Sequence, residues 1–309
     1  MDPRFLAELE RRRPRSVLLL GACDTGKTTL LEELLNTGEG GSPIAVVDCD
    51  VGQSRLGPPT TVGWGLVTPP FPGWPRIAVR GIAFTGAVSP EGNLDTFLDA
   101  VSRMVHAARQ AAPRLIVDTT GLVSGELGQA VKTRKIALIE PDLILALEQD
   151  QELAPILAAC ASIPMRRLRP SPQIIRRSLP QRDAYRDRQF ARYFANAVTH
   201  AWSLASLRCL GLGPDWMEGR VEASPSMLLD RVVGLRNAAG EDLAVGLVRE
   251  MDPATRSVRV MTPLKDVSTI TTLAVGSVRW PTEAGTPPTA GSPKGVSEGV
   301  AGGPTEPRG

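Results

Sequence analysis

Short apolar runs alternate with helical patterns between about residues 15 and 210. The apolar runs are predicted strands, at residues 16–20, 44–48, 76–79, 114–118, 142–147 and 163–168. Helical patterns separate them, and the clearest covers residues 93–111, with Asn93 as its N-cap. Strands that alternate with helices usually pair in parallel, with the helices on both faces. The pattern therefore predicts an α/β fold with a mostly parallel sheet flanked by helices.

The pattern changes after about residue 215. Short runs such as DRVVGLRN, LAVGLVRE and RSVRVMTP are separated by AAGED and MDPATR, which are turn-forming sequences. We therefore expect a small antiparallel β domain at residues 215–280, after a basic N-terminal segment at 1–14 and an α/β domain at 15–212. Residues 281–309 are rich in Pro, Gly, Ser and Thr with little to bury, and are predicted to be a disordered tail.

The sequence GACDTGKT links the first predicted strand to a predicted helix at residues 28–35 and fits G-x-x-x-x-G-K-[ST]. Its glycines let backbone N–H groups point at phosphate oxygens, and the positive end of the helix adds to the attraction. Lys27 is predicted to reach the β- and γ-phosphates of ATP, and the Thr28 hydroxyl to bind Mg²⁺. The alternative is a glycine-rich turn that fits by chance. The predicted nucleotide site comprises Gly21, Ala22, Cys23, Asp24, Thr25, Gly26, Lys27, Thr28 and Thr29.

Acidic residues end two of the predicted strands. Asp48 and Asp50, in VVDCDVGQS, point the same way if the strand continues, and Asp118 ends RLIVD. The carboxyl ends of parallel strands face the ligand crevice, so these carboxylates are predicted to lie near the γ-phosphate and Mg²⁺. Which of the three acts as a base and which supports the metal stays open, and a solvated strand end is the alternative.

An arginine-rich segment, RRSLPQRDAYRDRQFARYF, covers residues 176–194. Arg182 and Arg186 share a helical face, with Arg188 and Arg192 less closely aligned, and aromatic residues lie between them. Guanidinium groups suit phosphate contacts, so residues from about 166 to 194 are predicted to form a lid over the phosphates. A solvated helix face with aromatic residues in the core is the alternative.

Composition excludes several other classes of protein. The chain of 309 residues is 42% hydrophobic with a net charge of +2, so any basic surface is local. Four cysteines without a C-x-x-C pair and only two histidines argue against a zinc site or a disulfide framework. The sequence has no run of membrane-spanning length and no signal-peptide pattern at its start. We therefore expect a cytoplasmic protein without a membrane partner.

The destination of the phosphate is the main functional question. A guanine-specific switch would carry N-K-x-D or T-K-x-D, and neither is found. A kinase needs a base for the acceptor hydroxyl and cations over the transferring group, and the acids and arginines meet both needs. A P-loop ATPase or GTPase, either a switch or metallochaperone-like, and a catalytically idle ATP-bound scaffold in an RNA-processing complex remain as alternatives.

Taken together, GACDTGKTT, DCDVGQS, DTTGLV and R-S-x-x-x-R-x-x-x-R…Y-F resemble the polynucleotide 5′-hydroxyl kinases. The resemblance covers about residues 15–280 and includes the C-terminal β region. It implies transfer of the γ-phosphate of ATP to the 5′-OH of RNA or DNA, with no protein partner indicated.

The resemblance also assigns roles. Lys27 and Thr28 would hold the phosphates and Mg²⁺, Asp50 would accept the proton, and Asp48 and Asp118 would support the metal. Arg182 and Arg186 would belong to the lid. The residues implied for the acceptor polynucleotide are Gln53, Thr119, Thr120, Gly121, Arg188 and Arg192. Two departures are visible: Leu122 stands where the family often has Trp, and only a short basic segment precedes the first strand.

Overall fold

The computed structural model describes residues 3–37, 41–171, 174–211 and 227–281 of the chain. Its helices are α1 (Pro3–Arg12), α2 (Lys27–Leu34), α3 (Leu94–Ala111), α4 (Gly125–Ile139), α5 (Ala154–Ala159) and α6 (Leu179–Phe194). Its strands are β1 (Ser16–Gly21), β2 (Ile44–Cys49), β3 (Thr61–Val67), β4 (Val79–Phe84), β5 (Arg114–Thr119), β6 (Leu143–Leu147), β7 (Met165–Leu168), β8 (Val198–Ser203), β9 (Arg208–Leu210), β10 (Arg231–Asn237), β11 (Asp242–Asp252), β12 (Ser257–Thr262) and β13 (Ile270–Arg279).

Five parallel strands form the N-terminal part of the sheet, in the order β7–β6–β1–β5–β2. Their side chains alternate between two cores. Leu18 and Leu20 of β1 pack in the core that α3 and α4 cover, whereas Val17 and Leu19 pack in the core that α1 and α2 cover. Because both faces are buried, these strands are apolar throughout, which is typical of parallel sheets. The predicted fold class is confirmed for this part of the chain.

Most predicted elements of this region are present with small shifts of their ends. The N-cap of α3 is confirmed, since Asn93 Oδ1 accepts a hydrogen bond from the Thr96 N–H at 3.1 Å. The strand predicted at residues 76–79 was wrong. The chain makes a 3₁₀ turn at Trp74–Arg76, and β4 begins only at Val79. Pro75 and the tight turn keep this segment out of the sheet.

Strand β3 was not predicted, because its two glycines weaken the strand pattern in TVGWGLV. Packing explains both of them. A Cβ at Gly63 would lie 1.8 Å from the Leu56 carbonyl oxygen, and one at Gly65 would lie 2.9 Å from that of Ala78. The glycines therefore let neighbouring backbone approach the strand closely, and β3 pairs antiparallel with both β2 and β4.

Antiparallel strands extend the sheet in the order β2–β3–β4–β11–β10–β13, and β9 follows β13 in parallel. Strand β8 joins through β12. The predicted division of the chain near residue 212 stays a prediction, and strand pairing crosses it: β8 and β9 precede that point but pair with strands that follow it. The predicted tail lies, apart from Pro281, outside the described residues.

The junction between β4 and β11 contains a buried carboxylate. Asp242, whose side chain is fully buried, accepts hydrogen bonds from Arg236 Nε at 2.6 Å, from the Phe84 N–H at 2.9 Å and from Arg103 Nη2 at 3.4 Å. These three groups belong to β10, β4 and α3. One side chain therefore links the helical layer to the C-terminal strands.

Helix α6 lies across the same junction. Phe190 and Phe194 each pack against Trp280, with ring centroids 5.7 Å apart in both pairs, and Val232, Val245 and Ile82 belong to the same apolar cluster. The C-terminal half of α6 is thus fixed on the antiparallel part of the sheet. Its N-terminal half extends toward the end of β1.

Two further features concern the ends and surface of the fold. The N-terminal segment, predicted only as basic, forms α1, whose Phe5 and Leu9 are buried against the core covered by α2. Within the described ranges, no helix is long and apolar enough to cross a membrane.

Replacing Asp242 by Ala is expected to lower the free energy of unfolding by about 3–5 kcal/mol, because the change leaves Arg236 and the Phe84 N–H without their buried partner. Glu250→Ala is the matched control on the same strand, since its ion pair with Arg259 is exposed and about 0–1 kcal/mol is expected from such pairs. Urea unfolding of both variants makes the comparison. Equal losses would show that Asp242 is not a structural link.

Candidate nucleotide and phosphate-transfer site

The glycine-rich loop connects β1 to α2 and encloses a lysine side chain. Lys27 is buried, and its ammonium group donates hydrogen bonds to the carbonyl oxygens of Gly21 at 2.9 Å and Ala22 at 2.6 Å. Gly26 has a φ of +89°, a conformation that favours glycine. The loop lines a cavity of about 500 Å³ that extends to Asp48, Asp50 and Asp118. The structure therefore brings together the phosphate loop and the three acids predicted from the sequence.

Asp48 and Asp118 are direct neighbours in the parallel pairing of β2 with β5. Both are buried. Asp48 accepts hydrogen bonds from the backbone N–H groups of Asp50 at 2.9 Å, Arg55 at 2.5 Å and Leu56 at 3.2 Å, and Asp118 accepts one from Thr119 N–H at 2.8 Å. The backbone thus fixes both carboxylates at the floor of the cavity.

Burial changes the ionisation of this pair. Burial, together with the charges of Asp118 and Asp50, raises the pKa of Asp48 to about 7. Burial likewise raises the pKa of Asp118, although Lys27 opposes the change. Two neighbouring carboxylates in a dry site disfavour each other's ionised form. A cation placed between them would remove that cost.

Asp50 occupies a different environment from the other two acids. It is half-buried and lines the cavity. Its Oδ1 accepts hydrogen bonds from the N–H groups of Gly52 at 3.3 Å and Gln53 at 3.1 Å. Both bonds use the same oxygen, so Oδ2 is available to a substrate. Among the three acids, Asp50 is the one that is not fully buried.

The turn that follows β5 lies directly against the phosphate loop. A Cβ on Gly121 would lie 2.2 Å from Cys23 Sγ and 2.5 Å from the Cys23 backbone nitrogen, so only glycine fits there. Thr119 and Thr120, predicted to contact the acceptor, are buried. The Thr119 hydroxyl donates to the Leu19 carbonyl at 2.8 Å. These threonines therefore support the site from below, and Gly121 forms part of its wall.

Sequence reasoning missed a buried lysine beneath this turn. Lys132 of α4 is fully buried, and its Nζ binds the hydroxyls of Thr119 and Thr120, both at 3.1 Å, and the Thr120 carbonyl. Burial, and then the charges of Lys135 and Lys27, hold the pKa of Lys132 well below its usual range. Its position among Val131, Lys135 and other buried α4 residues is a signal that could have been noticed. Lys132 positions the turn that ends in Gly121.

The start of α6 contacts both the phosphate loop and the segment after β2. Arg182 Nη2 forms an ion pair with Asp24 Oδ2 at 2.6 Å, and the Arg177 N–H donates to the same oxygen at 3.0 Å. Gln53 Nε2 donates to the Arg182 carbonyl at 3.1 Å, and Tyr185 Oη donates to the carbonyl of Ser54 at 3.0 Å. Arg182 therefore lines the cavity as the lid prediction required.

The other predicted arginines lie elsewhere. Arg186 pairs with Asp183 on its own helix and does not line the cavity. Arg188 is exposed, and Arg192 lines a separate groove. In the segment predicted as the start of the lid, Arg166 and Arg167 belong to β7, and Arg167 pairs with Glu148 at 2.9 Å. Within the predicted lid, Arg182 and Arg177 thus line the phosphate cavity, whereas Arg166, Arg167 and Arg169 line a cavity that adjoins it.

A second cavity, of about 330 Å³, adjoins the first. It shares Thr25, Gly26, Thr29 and Ile174 with the phosphate site and continues to Leu168 at the end of β7. Its lining mixes apolar side chains with polar and charged ones, including three arginines, and it lies beside the first turn of α2. This space is available to the nucleoside part of a bound nucleotide.

The strand, phosphate loop and helix, together with buried carboxylates at the ends of the neighbouring strands β2 and β5, define a P-loop nucleotide-binding protein. The chain belongs to the family described as mRNA cleavage and polyadenylation factor CLP1 P-loop, whose model matches residues 21–196. That range contains the phosphate loop, all three acids and the whole of α6.

Several proteins named polyribonucleotide 5′-hydroxyl-kinase are similar to this chain. The protein from Pyrococcus horikoshii is 26% identical, over 87% of this chain and 86% of its own length. The protein from Methanocaldococcus jannaschii is 37% identical, over 48% of this chain and 41% of its own length. A solved structure of a Clp1p–Pcf11p complex has the same fold, with a TM-score of 0.70 at 14% identity over 89% of this chain and 77% of that one.

Gly121→Ala is expected to weaken ATP binding about tenfold or more, because its methyl group must push the loop at Cys23 out of place. Gly92→Ala is the matched control, since its Cβ would have only an ordinary contact, at 3.8 Å from Ala87. Calorimetric titration with a non-hydrolysable ATP analogue measures the effect, and circular dichroism checks folding. A folded Gly121→Ala protein with unchanged affinity would contradict the proposed role of this contact.

Proposed function

We propose that this protein transfers the γ-phosphate of ATP to the 5′-hydroxyl end of a polynucleotide, RNA or DNA. The observation that carries the proposal is the position of Asp50. Its carboxylate lies in the same cavity as Lys27, next to the buried pair Asp48 and Asp118, with one oxygen available to an acceptor. Membership in the CLP1 P-loop family and the names of the similar proteins support this reaction.

The reaction follows from the placement of these groups. The phosphates of ATP bind the N–H groups of residues 21–28, and Lys27 exchanges its carbonyl contacts for the β- and γ-phosphate oxygens. Asp50 accepts the proton of the 5′-hydroxyl, and the hydroxyl oxygen forms a bond to the γ-phosphorus. The bond from the γ-phosphorus to the bridging oxygen breaks, and ADP carries that electron pair away.

Magnesium fits the donor set of the site. The Thr28 hydroxyl and the carboxylates of Asp48 and Asp118 are oxygen ligands, and a divalent cation would favour the ionised form of these two acids, whose pKa is raised chiefly by burial. The described residues contain no group of three or more His, Cys, Asp or Glu side chains that forms a complete metal cage. Mg²⁺ usually keeps waters and nucleotide phosphates as ligands, and when bound it neutralises phosphate charge.

Two other functions place the phosphate elsewhere. A P-loop hydrolase would release it to water, and an idle scaffold would keep ATP intact. Incubation with γ-labelled ATP and a 5′-OH oligonucleotide separates the three, with DNA and RNA versions tested in parallel. Label on the oligonucleotide supports the kinase, free phosphate alone supports the hydrolase, and tight binding of intact ATP supports the scaffold.

Asp50→Asn is expected to lower kcat by about 10²–10⁴-fold, because the amide cannot accept the proton of the hydroxyl. ATP affinity should change only a few-fold, since Asp50 hydrogen bonds to Gly52 and Gln53 rather than to the phosphate loop. Single-turnover transfer and ATP titration measure the two quantities. A variant with normal turnover would move the base role to Asp48 or Asp118.

Arg182→Ala is expected to lower kcat by about 10²-fold or more with a much smaller change in the KM for ATP, because a lid arginine binds the transferring group most strongly in the transition state. Asp24→Ala removes the ion pair that holds Arg182 against the loop and the hydrogen bond from the Arg177 N–H, but it leaves the Arg182 guanidinium in place to contact the phosphoryl group. It should therefore have the smaller effect on kcat. Arg134→Ala on α4, where the arginine is 61% exposed, is the matched control.

Equal losses of kcat in Asp24→Ala and Arg182→Ala would contradict direct contact between Arg182 and the phosphoryl group. They would show that Arg182 acts only by fixing the loop. The double variant completes the cycle, because residues that act through one ion pair give non-additive effects.

A further inference from the structure

A second site candidate is a groove of about 870 Å³. The segment that follows β2 separates this groove from the phosphate site. The 3₁₀ turn at Trp74–Arg76 and strand β4 form one wall, and α6 forms the other. Three arginines and three aromatic residues are among its lining side chains: Arg55, Arg80, Arg192, Trp74, Tyr185 and Tyr193. Of these six residues, only Arg192 was predicted from the sequence to contact the acceptor.

The groove is continuous with the phosphate site. Arg55 lines both. One face of α6 also runs between them, since Arg182 lines the phosphate site and Tyr185, Gln189 and Arg192 line the groove. Their spacing of three and four residues places them in one row, and ten residues of helix span ~15 Å. A chain that enters the cavity at Asp50 can thus continue along α6.

The charge of the groove favours an anion. Arg80 and Arg192 are exposed, and neither forms an ion pair with any residue in the described part of the chain. The acidic residue of the lining, Asp242, is fully buried and neutralised by Arg236 and Arg103. Guanidinium groups are therefore available to phosphates along both walls.

The planar groups of the groove are held in place by their polar atoms. Trp74 Nε1 donates to Glu32 Oε1 at 2.6 Å, Tyr185 Oη donates to the Ser54 carbonyl at 3.0 Å, and Tyr193 Oη accepts from Val245 N–H at 2.9 Å. The Arg55 guanidinium lies over the Trp74 ring, 5.4 Å from its centroid. Aromatic rings and guanidinium planes of this kind stack unpaired bases.

The turn beside the phosphate site offers no such surface. Leu122, directly after Gly121, packs against the apolar core that α3 and α4 cover. Planar side chains for base contact are therefore found in the groove and not at this turn.

We propose that the groove binds the first nucleotides of a single-stranded acceptor, on the 3′ side of the reacting 5′-hydroxyl. This inference rests on the proposed kinase function. Phosphates of the acceptor contact Arg80 and Arg192, and bases stack on the rings and on the Arg55–Trp74 pair. The groove thereby selects a polynucleotide over a dinucleotide.

The experiment compares a 5′-OH dinucleotide with a 5′-OH decamer. Wild-type protein is expected to show the lower KM for the decamer. In the double variant Arg80→Ala/Arg192→Ala, the ratio of the dinucleotide KM to the decamer KM should fall about tenfold. The slope of log KM for the decamer against log salt should also become shallower by ~0.7 for each arginine lost. Arg208→Ala, an exposed arginine on β9, is the matched control and should leave both values unchanged.

Decamer binding is measured separately by fluorescence anisotropy, without ATP. If the wild-type protein phosphorylates neither oligonucleotide, the kinase function fails, and the anisotropy comparison still tests the groove. If transfer occurs but the double variant keeps the wild-type KM ratio, salt slope and decamer affinity, the groove does not bind the acceptor. That result would leave it as a surface for another occupant, such as a protein.

Discussion

The parallel pairing of β2 with β5 is the constraint on which the site depends. It places Asp48 beside Asp118 at the floor of the cavity, where burial makes both difficult to ionise. The same pairing continues to Cys49 and Thr119, and the two segments that follow both reach the phosphate cavity. One segment carries Asp50, and the other carries Gly121, which contacts the loop too closely for any side chain. Strand register, rather than loop conformation, thus fixes the chemistry.

The antiparallel strands support this site from a distance. Phe190 and Phe194 attach the far end of α6 to Trp280, while Arg182 attaches its near end to the phosphate loop. Because the buried Asp242 links β10, β4 and α3, this support is continuous with the helical layer. The described strands of the C-terminal part therefore contribute to the position of the lid, and none of their residues lines the phosphate cavity.

Sequence patterns predicted the features that depend on local order. The apolar runs ending in Asp48 and Asp118, the N-cap at Asn93 and the glycine-rich loop each carry their signal within a few residues. Features that depend on distant packing were missed. Strand β3 was missed because Gly63 is required by the backbone at Leu56. Lys132 was missed because its partners lie at the end of β5 and just after it, more than ten residues away. The pairing of Arg186 with Asp183 is a local signal, three residues apart on one helix, that the sequence prediction overlooked.

Asp24 belongs to the phosphate loop, has a φ of +54° and binds both the backbone of Arg177 and the side chain of Arg182. The loop and the lid are consequently a thermodynamically linked pair. If nucleotide binding raises the equilibrium constant for docking of α6 by some factor, then docking of α6 raises the affinity for the nucleotide by the same factor. This follows because a coupling free energy between two sites is reciprocal. An acceptor that stabilises α6 farther along the same face would then raise the affinity for ATP, and the order in which the two substrates bind would not alter the total free energy of binding.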